Sequence, residues 1–328
     1  MTPIIRFTRL KRICYTYGMD ARIAVDIGGT QIRAACYSDD SLKPLAQLRA
    51  PTKQPRKSAL ESMFELIAAV WPSDGRVLKI AVAAPGPIDS QEGMILAAPN
   101  IPGWNDLPLK AELETRFNIP AAVGNDANLA ALGEHQFGAG IGHHYLLYLT
   151  ISTGIGSGII IADRLIEGAH GLGGELGHVT VLPGGPMCGC GKSGHLEAVA
   201  SGPGIARWVK EQLAIGATSS LARDQEVTAR EIAVAAAQGD PLSSRAMQRA
   251  GTFIGFALAD FLHIFNPTIV IFGGGVSKTG ALLLDPIRKT LEERVISPRY
   301  LQDLSITTAA LGDDAGLMGA LALARRNS

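Results

Sequence analysis

The sequence has no excess of either charge: 30 Lys and Arg stand against 30 Asp and Glu, and no block of five or more like charges occurs. That removes the basic face on which nucleic-acid-binding modules rest, and a partner with an acidic surface is equally unsupported. No apolar run of membrane-spanning length goes uninterrupted. The longest, Ile254 to Phe272, is broken by Asp260, His263 and Asn266-Pro267, and reads as a buried helix followed by a strand. Cysteine is scarce. The four are Cys14, Cys36 in an apolar strand pattern, and the close pair Cys188 and Cys190. A disulfide scaffold needs more, and the pair is too tightly spaced for an easy mutual bridge, so a cytoplasmic location is expected. Short-period repeats, low-complexity linkers and coiled-coil heptads are also absent.

What is present is apolar: 47% of 328 residues are hydrophobic, enough for a large core and, at this length, for two lobes. The opening MTPIIRFTRLKRICYTYG scatters Arg and Lys among apolar residues without a continuous apolar centre or a small-residue cleavage site, which makes a poor signal peptide. Met19 stands just before DARIAVDIGG. Translation is expected to begin there, with residues 1–20 a disordered extension.

A strand, a Gly-rich turn and a returning strand occur twice. The first set is RIAVDIGG (Arg22 to Gly29) with IRAACYS from Ile32; the second is YLLYLTISTGIGSGIII from Tyr145. After the first come a helical pattern over Lys57 to Val70, a buried strand from Leu78 to Gly86, a helix over LKAELETRFN and a short strand ending at Asp126. After the second come Ala-rich helices over Thr228 to Gln238 and Ser243 to Phe265, the strand TIVIFGGG and a terminal helix beyond LGDDAG. The alternation predicts α/β layers in a duplicated architecture with a cleft between lobes. The expected small lobe covers 21–124, with a C-terminal helix at 312–328 packing back on it, and the large lobe covers 125–311.

Several stretches carry chemistry. In DIGGT, Asp26 stands at a strand end beside Gly28, Gly29 and Thr30, whose backbone N–H groups suit phosphate oxygens; tight hairpins also use Gly-Gly for conformation alone. In TISTGIGSG, Ser152, Thr153, Gly154 and Gly156 form a second such turn. It lacks the Gly-Lys-Ser/Thr of a Walker loop and is followed by a strand, unlike a dinucleotide fingerprint. A third, Gly273, Gly274 and Gly275, lies where backbone could approach an adenosine. Asp126 in GNDANLAALGE is either a helix N-cap or a general base for a hydroxyl. Finally, MCGCGKSGHLE is a metal clasp, a redox pair or a plain loop; Cys-x-Cys lacks the spacing of thioredoxin-like pairs.

In their order, DIGGTQIR, APGPID, APNIPGW, GNDANLAALGE, TISTGIGSGI, GGELGH, CGCGKSGHLE and IVIFGGGVS resemble the repressor, open reading frame, kinase (ROK) family of sugar kinases, from about Ala21 to Arg325. The resemblance implies an α/β, actin-like, hexokinase-like ATPase fold (ribonuclease H-like). It makes Asp126 the base and gives Asp26, Gly28, Gly29, Thr30, Ser152, Thr153, Gly154 and Gly156 to the phosphates. Sugar-binding positions would be Asn100, Asn125, Asp126, Glu175, His178 and Glu197, with the turn Ala84 to Gly86 close by; on their own, Asn100 reads as a turn residue, Glu175 as a helix-end charge and Glu197 as a cap. It also implies a structural zinc ion on His178, Cys188, Cys190 and His195. His195 stands where the family has cysteine, so the longer imidazole requires the loop to shift, yet two histidines and two cysteines remain a sound tetrahedral set.

The activity implied is ATP- and Mg²⁺-dependent phosphorylation of a hexose 6-hydroxyl, glucose first, with N-acetylmannosamine, N-acetylglucosamine, fructose or mannose as alternatives and polyphosphate an open second donor. The same family includes sugar-responsive repressors, which add an N-terminal helix-turn-helix. About twenty residues precede the first strand here, too few for a three-helix module. A cytoplasmic enzyme of glycolysis, homodimeric or homotetrameric and without nucleic-acid or membrane partners, completes the expectation.

Overall fold

A computed structural model describes residues 19–98, 100–222 and 226–326. The extension expected over residues 1–20 lies outside the described residues up to Gly18. The chain divides into two compact units: Met1–Gly138 with Glu167–Gly173 and Asp313–Ser328, and Ala139–Ile166 with Gly174–Gly312.

In the first unit, β1 (Asp20–Ile27) and β2 (Gln31–Ser38) form the expected hairpin, and β3 (Ala46–Pro51), β4 (Arg76–Ala84) and, after the small antiparallel sheet β5 (Ile88–Asp89), β6 (Met94–Ala97) and β7 (Asn105–Leu107), β8 (Ala121–Asn125) follow. The main sheet runs β3-β2-β1-β4-β8, with β1, β4 and β8 parallel. Val25 lies beside Ala34 on one side and Val82 on the other, and Val82 beside Val123. Such central strands are covered on both faces, which is why β1 reads as a near-continuous apolar run. Ile23, Val25 and Ile27 share a core with Met63 and Ile67 of α1 (Ala59–Val70), a helix opened by a reciprocal Ser58–Glu61 capping box.

Helix α2 (Leu109–Phe117) buries Leu109 and Leu113, while α3 (Asp126–Phe137) crosses the terminal helix α10 (Ala315–Arg325). That crossing is close because both helices place glycine at it. A Cβ on Gly319 would lie 1.8 Å from the Leu129 carbonyl oxygen, and one on Gly133 would lie 2.8 Å from that of Ala315. The first unit therefore runs on through α3 to Gly138, past the boundary expected after Gly124.

The second unit repeats the plan. β9 (Tyr145–Ile151) and β10 (Ile155–Ile161) form a hairpin edged by β11 (Arg164–Leu165), and β12 (Ile269–Gly273) and β13 (Ser305–Thr308) add in parallel, in the order β11-β10-β9-β12-β13. Its helices are α4 (Leu196–Ala200), α5 (Gly202–Ala214), α6 (Ala229–Ala237), α7 (Pro241–Phe265), α8 (Ala281–Arg294) and α9 (Arg299–Gln302). Helix α7 starts at an Asp240 N-cap and stops at Asn266, which adopts a left-handed conformation before Pro267. Ile254, Leu258 and Leu262 of α7 pack with Leu283, Ile287 and Leu291 of α8 in the core beneath the sheet. Among the described residues no helix is long and apolar enough to cross a membrane.

Candidate active site

Parallel strands end together, so the carboxyl ends of β1, β4 and β8 collect the first unit's candidates along one sheet edge, where open α/β sheets bind ligands. Asp26 sits one residue before the end of β1, opposite Arg33 in the hairpin register. Arg33 donates to Asp26 Oδ2 through Nε at 3.1 Å and Nη2 at 2.5 Å, and reaches Asp314 Oδ1 at 2.8 Å and the Asp313 carbonyl. Among the described residues Asp26 Oδ1 accepts no hydrogen bond; it lies against Gly316 of α10, where a Cβ would stand 2.7 Å away. Burial pushes the Asp26 carboxyl up from its ordinary value, with Arg33 pulling it back down.

The turn beyond is tight. Gly28 N–H donates to the Gln31 carbonyl at 2.9 Å, and Thr52, just past β3, clamps it, its hydroxyl donating to the Gly28 carbonyl at 2.6 Å. Gly29 and Thr30 are left exposed. Exposed Asn100 adjoins them: a Cβ on Gly29 would meet Asn100 Cβ at 3.5 Å. The loop carrying Asn100 is held from below by buried Ile101 and Trp104 and by the Ala98 N–H to Trp104 carbonyl bond of 2.9 Å.

Asn125, and not Asp126, is the N-cap of α3. Its Oδ1 accepts from Ala127 N–H at 3.0 Å and Asn128 N–H at 3.1 Å, while its Nδ2 donates to the Gly86 carbonyl at 3.1 Å. Ala84 is buried at the end of β4, beside Asn125. Asp126 then occupies the first helical turn, half-buried, with Oδ1 accepting from Ala127 N–H at 2.8 Å. The positive end of the helix dipole lies beside its carboxylate.

In the second unit, the turn between β9 and β10 exposes Ser152 and Thr153. Ser152 N–H donates to the Gly154 carbonyl at 2.9 Å, and the Ser152 carbonyl accepts from Gly202 N–H, at the start of α5, at 2.8 Å. Gly156 lies in β10, paired with Thr150. A cavity of about 1140 Å³ opens beside this turn, walled by apolar Val227, Ala233, Val234 and Leu282 and carrying the cations Arg207, Lys210 and Lys278. That is ample for a drug-sized or nucleotide-sized ligand. The three glycines after β12 divide in role. Gly273 packs on Tyr148 and Gly274 on the backbone of Ile151, whereas Gly275 lines the cavity.

In and just before the MCGCGKSGHLE stretch, four candidate metal ligands gather. His178, Cys188, Cys190 and His195 bring one ligand atom each to within 4.8 Å of one another. His178 Nδ1 is 3.4 Å from His195 Nδ1 and 3.7 Å from Cys188 Sγ, and Cys190 Sγ is 3.3 Å from His195 Nδ1. Metal–ligand bonds of about 2.0–2.3 Å give a tetrahedron with edges of about 3.3–3.8 Å, which these three separations match, and two imidazoles with two thiols are a donor set that suits zinc. The loop is tied by Cys188 N–H to the Lys192 carbonyl at 2.7 Å and Gly194 N–H to the Pro186 carbonyl at 2.8 Å. Burial pushes the Cys188 thiol up to about 11, a group that metal ligation would deprotonate.

The two ring nitrogens of His178 face different neighbours. Nδ1 faces Cys188 and His195, while Nε2 lies 3.9 Å from Glu175 Oε2. Desolvation pushes the Glu175 carboxyl up, partly offset by His178 and reinforced by Glu197. Glu197, on α4 two residues after His195, directs Oε2 to Ile155 N–H at 3.0 Å and Oε1 to Cys188 Sγ at 3.5 Å.

Arg33 and the cavity-lining Gly202, Pro203, Arg207 and Lys210 are not among the residues expected from the sequence. Arg33 becomes visible only once the hairpin register is known. Ser201-Gly202-Pro203 does carry a readable helix-start signal, a serine cap followed by an early proline.

These features have relatives. The glucokinase of Thermotoga maritima is 36% identical over 308 residues, covering 92% of this chain and 96% of its own. The crystal structure of a ROK family glucokinase from Streptomyces griseus in complex with glucose and AMPPNP superimposes with a TM-score of 0.78 at 35% identity, covering 94% of this chain and all of its own. The xylose repressor of Bacillus subtilis is 28% identical over 316 residues, covering 94% of this chain and 76% of its own. The ROK family pattern matches residues 22–327. With its paired hairpin-led sheets in the actin-like, hexokinase-like ATPase fold and the whole motif series in place, the chain belongs to the ROK family.

Proposed function

We propose that this protein is an ATP-dependent hexose kinase whose acceptor is the 6-hydroxyl of glucose. The observation that carries the reading is the division of labour at the start of α3. Asn125 supplies the cap, so Asp126 is not needed for it and stands at the sheet edge with Asn125 and Gly86. The Thermotoga and Streptomyces glucokinases support glucose as acceptor, and the AMPPNP in the latter supports ATP as donor.

In this reading Asp126 accepts the proton of the 6-hydroxyl as that oxygen attacks the γ-phosphorus; the O6–P bond forms, the bond from phosphorus to the bridging oxygen breaks, and ADP leaves. Asn100, Asn125, Glu175, His178 and Glu197 orient sugar hydroxyls through directional hydrogen bonds. The Gly28–Thr30 and Ser152–Gly156 turns bind phosphate oxygens, and the cavity beside the second turn takes the nucleoside. Asp26, whose Oδ1 accepts no hydrogen bond among the described residues, would hold Mg²⁺, which would supply neutralisation of phosphate charge. His178, Cys188, Cys190 and His195 would hold a structural zinc ion that fixes the loop. The reading extends to a cytoplasmic homodimer or homotetramer supplying glycolysis, its assembly checked by light scattering.

A coupled assay of ATP turnover across glucose, mannose, fructose, N-acetylglucosamine and N-acetylmannosamine tests it. Glucose is expected to give the highest kcat/KM; preference for an N-acetyl sugar would rename the substrate, and turnover with none would favour a second reading, a sugar-binding sensor, suggested by the xylose repressor match.

A further inference from the structure

Glu197 joins two parts of the second unit that the kinase reading treats separately. Its Oε2 accepts from the backbone N–H of Ile155, the neighbour of Gly154 in the nucleotide turn, at 3.0 Å. Its Oε1 lies 3.5 Å from Sγ of the clasp residue Cys188. A second tie runs beside it: α4 follows directly on the clasp residue His195, and Gly202, just beyond α4, donates its N–H to the Ser152 carbonyl at 2.8 Å. The nucleotide turn is thus gripped once by a side chain and once by backbone, and both grips come from the short segment that begins at a clasp residue. Contact is close enough that a Cβ on Gly154 would stand 2.5 Å from Glu197 Oε2.

We propose that Glu197, beyond the sugar contact assigned to it above, positions the nucleotide turn, and that metal in the clasp raises nucleotide affinity through it whether or not sugar is bound. The proposal rests on the zinc and kinase readings above. Drawn together by a metal, His178, Cys188, Cys190 and His195 fix the start of α4 and hence the Glu197 carboxylate. Without one, the backbone at the start of α4 keeps its Leu196 N–H to Val179 carbonyl bond of 2.9 Å, but the clasp side chains have only their mutual contacts of 3.3, 3.4 and 3.7 Å to hold their geometry, and a charged acceptor on a backbone N–H is among the stronger single hydrogen bonds to lose.

The test uses the full-length protein. Metal content is measured by mass spectrometry, and the Kd for MgAMPPNP is measured by calorimetry without sugar, before and after chelation, in wild type, Glu197→Ala, Glu197→Gln and Gly154→Ala. Chelation is expected to weaken wild-type nucleotide binding by about tenfold, the loss of one charge-assisted hydrogen bond. Glu197→Ala should weaken the metal-loaded protein about as much and then be indifferent to chelation; Glu197→Gln, which retains an acceptor for Ile155, should lose less. Gly154→Ala, whose methyl would push the Glu197 carboxylate away from the turn, should also weaken nucleotide binding, and an unchanged Kd there counts against the proposal. Circular dichroism confirms that each variant is folded. Wild-type protein that binds metal yet keeps its Kd on chelation overturns the coupling alone, as do chelation and Glu197→Ala effects that multiply. A chain that takes up no zinc overturns both the coupling and the zinc reading, while turnover with glucose judges the kinase reading separately.

Discussion

Replacing Arg33 with methionine keeps the aliphatic stem and removes the guanidinium. In the folded protein that group holds Asp26 by two nitrogens on one oxygen, with the Arg33 and Asp26 side chains only 11% and 19% exposed. The contact with Asp314 counts for little, because that carboxylate is 62% exposed. Removing one partner of a buried pair leaves the other charge uncompensated, and the low end of the usual penalty, about 3 kcal/mol, corresponds to a fall in Tm of roughly 6–12 °C for a unit of this size.

The penalty should also depend on pH. Burial already raises the Asp26 carboxyl, and Arg33 opposes that rise. A group with a raised folded pKa binds more protons folded than unfolded between the two values, so its effect on stability worsens as pH rises through that window. Loss of Arg33 widens the window upward from the ordinary carboxyl value. The Tm difference between Arg33→Met and wild type should be large at about pH 7.5 and shrink toward about pH 5, where Asp26 is more readily protonated. Thermal melts followed by circular dichroism at the two pH values decide it. A difference below about 2 °C, or one equal at both pH values, refutes the claim that Arg33 compensates a buried Asp26 charge.

Three further outcomes are expected. Gly319→Ala places a methyl where the Leu129 carbonyl stands, forcing α3 and α10 apart at a cost of about 1–3 kcal/mol, visible in urea titration and accompanied by lower kcat, since Asp126 opens α3. Asn125→Ala removes the α3 cap and the link to Gly86, and should destabilise by about 1 kcal/mol in the same titration while raising KM for glucose. Cys188→Ser should abolish bound zinc measured by mass spectrometry, whereas His195→Cys should retain it, because the ligand set stays tetrahedral and sulfur-compatible.

Much of this arrangement was legible in the residues because it is local. Both hairpins announce themselves as apolar runs flanking Gly-rich turns, and the break of the longest apolar run at Asn266-Pro267 marks the end of α7. Asp126 was ambiguous between cap and base. Only the side-chain bonds of Asn125, one residue earlier, resolve the cap, since either residue type suits that position. The triple glycine looked uniform, yet Gly273 and Gly274 answer to packing on β9 and only Gly275 to the cavity. What stayed hidden depends on pairing or on distance along the chain. Arg33 meets Asp26 through strand register, and the cavity gathers residues from Ser152 to Leu282 with no common motif. The strands β5, β6 and β7 are too short to give a period.

The most direct test of the central claim is Asp126→Asn, an isosteric change that keeps the size and position of the side chain while removing its capacity to take a proton. With glucose and MgATP in a coupled assay, kcat is expected to fall by about 10²- to 10⁴-fold, the usual contribution of a general base, while glucose affinity measured by calorimetry changes by less than about tenfold. Turnover within a few-fold of wild type at unchanged affinity would contradict the assignment of Asp126 as the base.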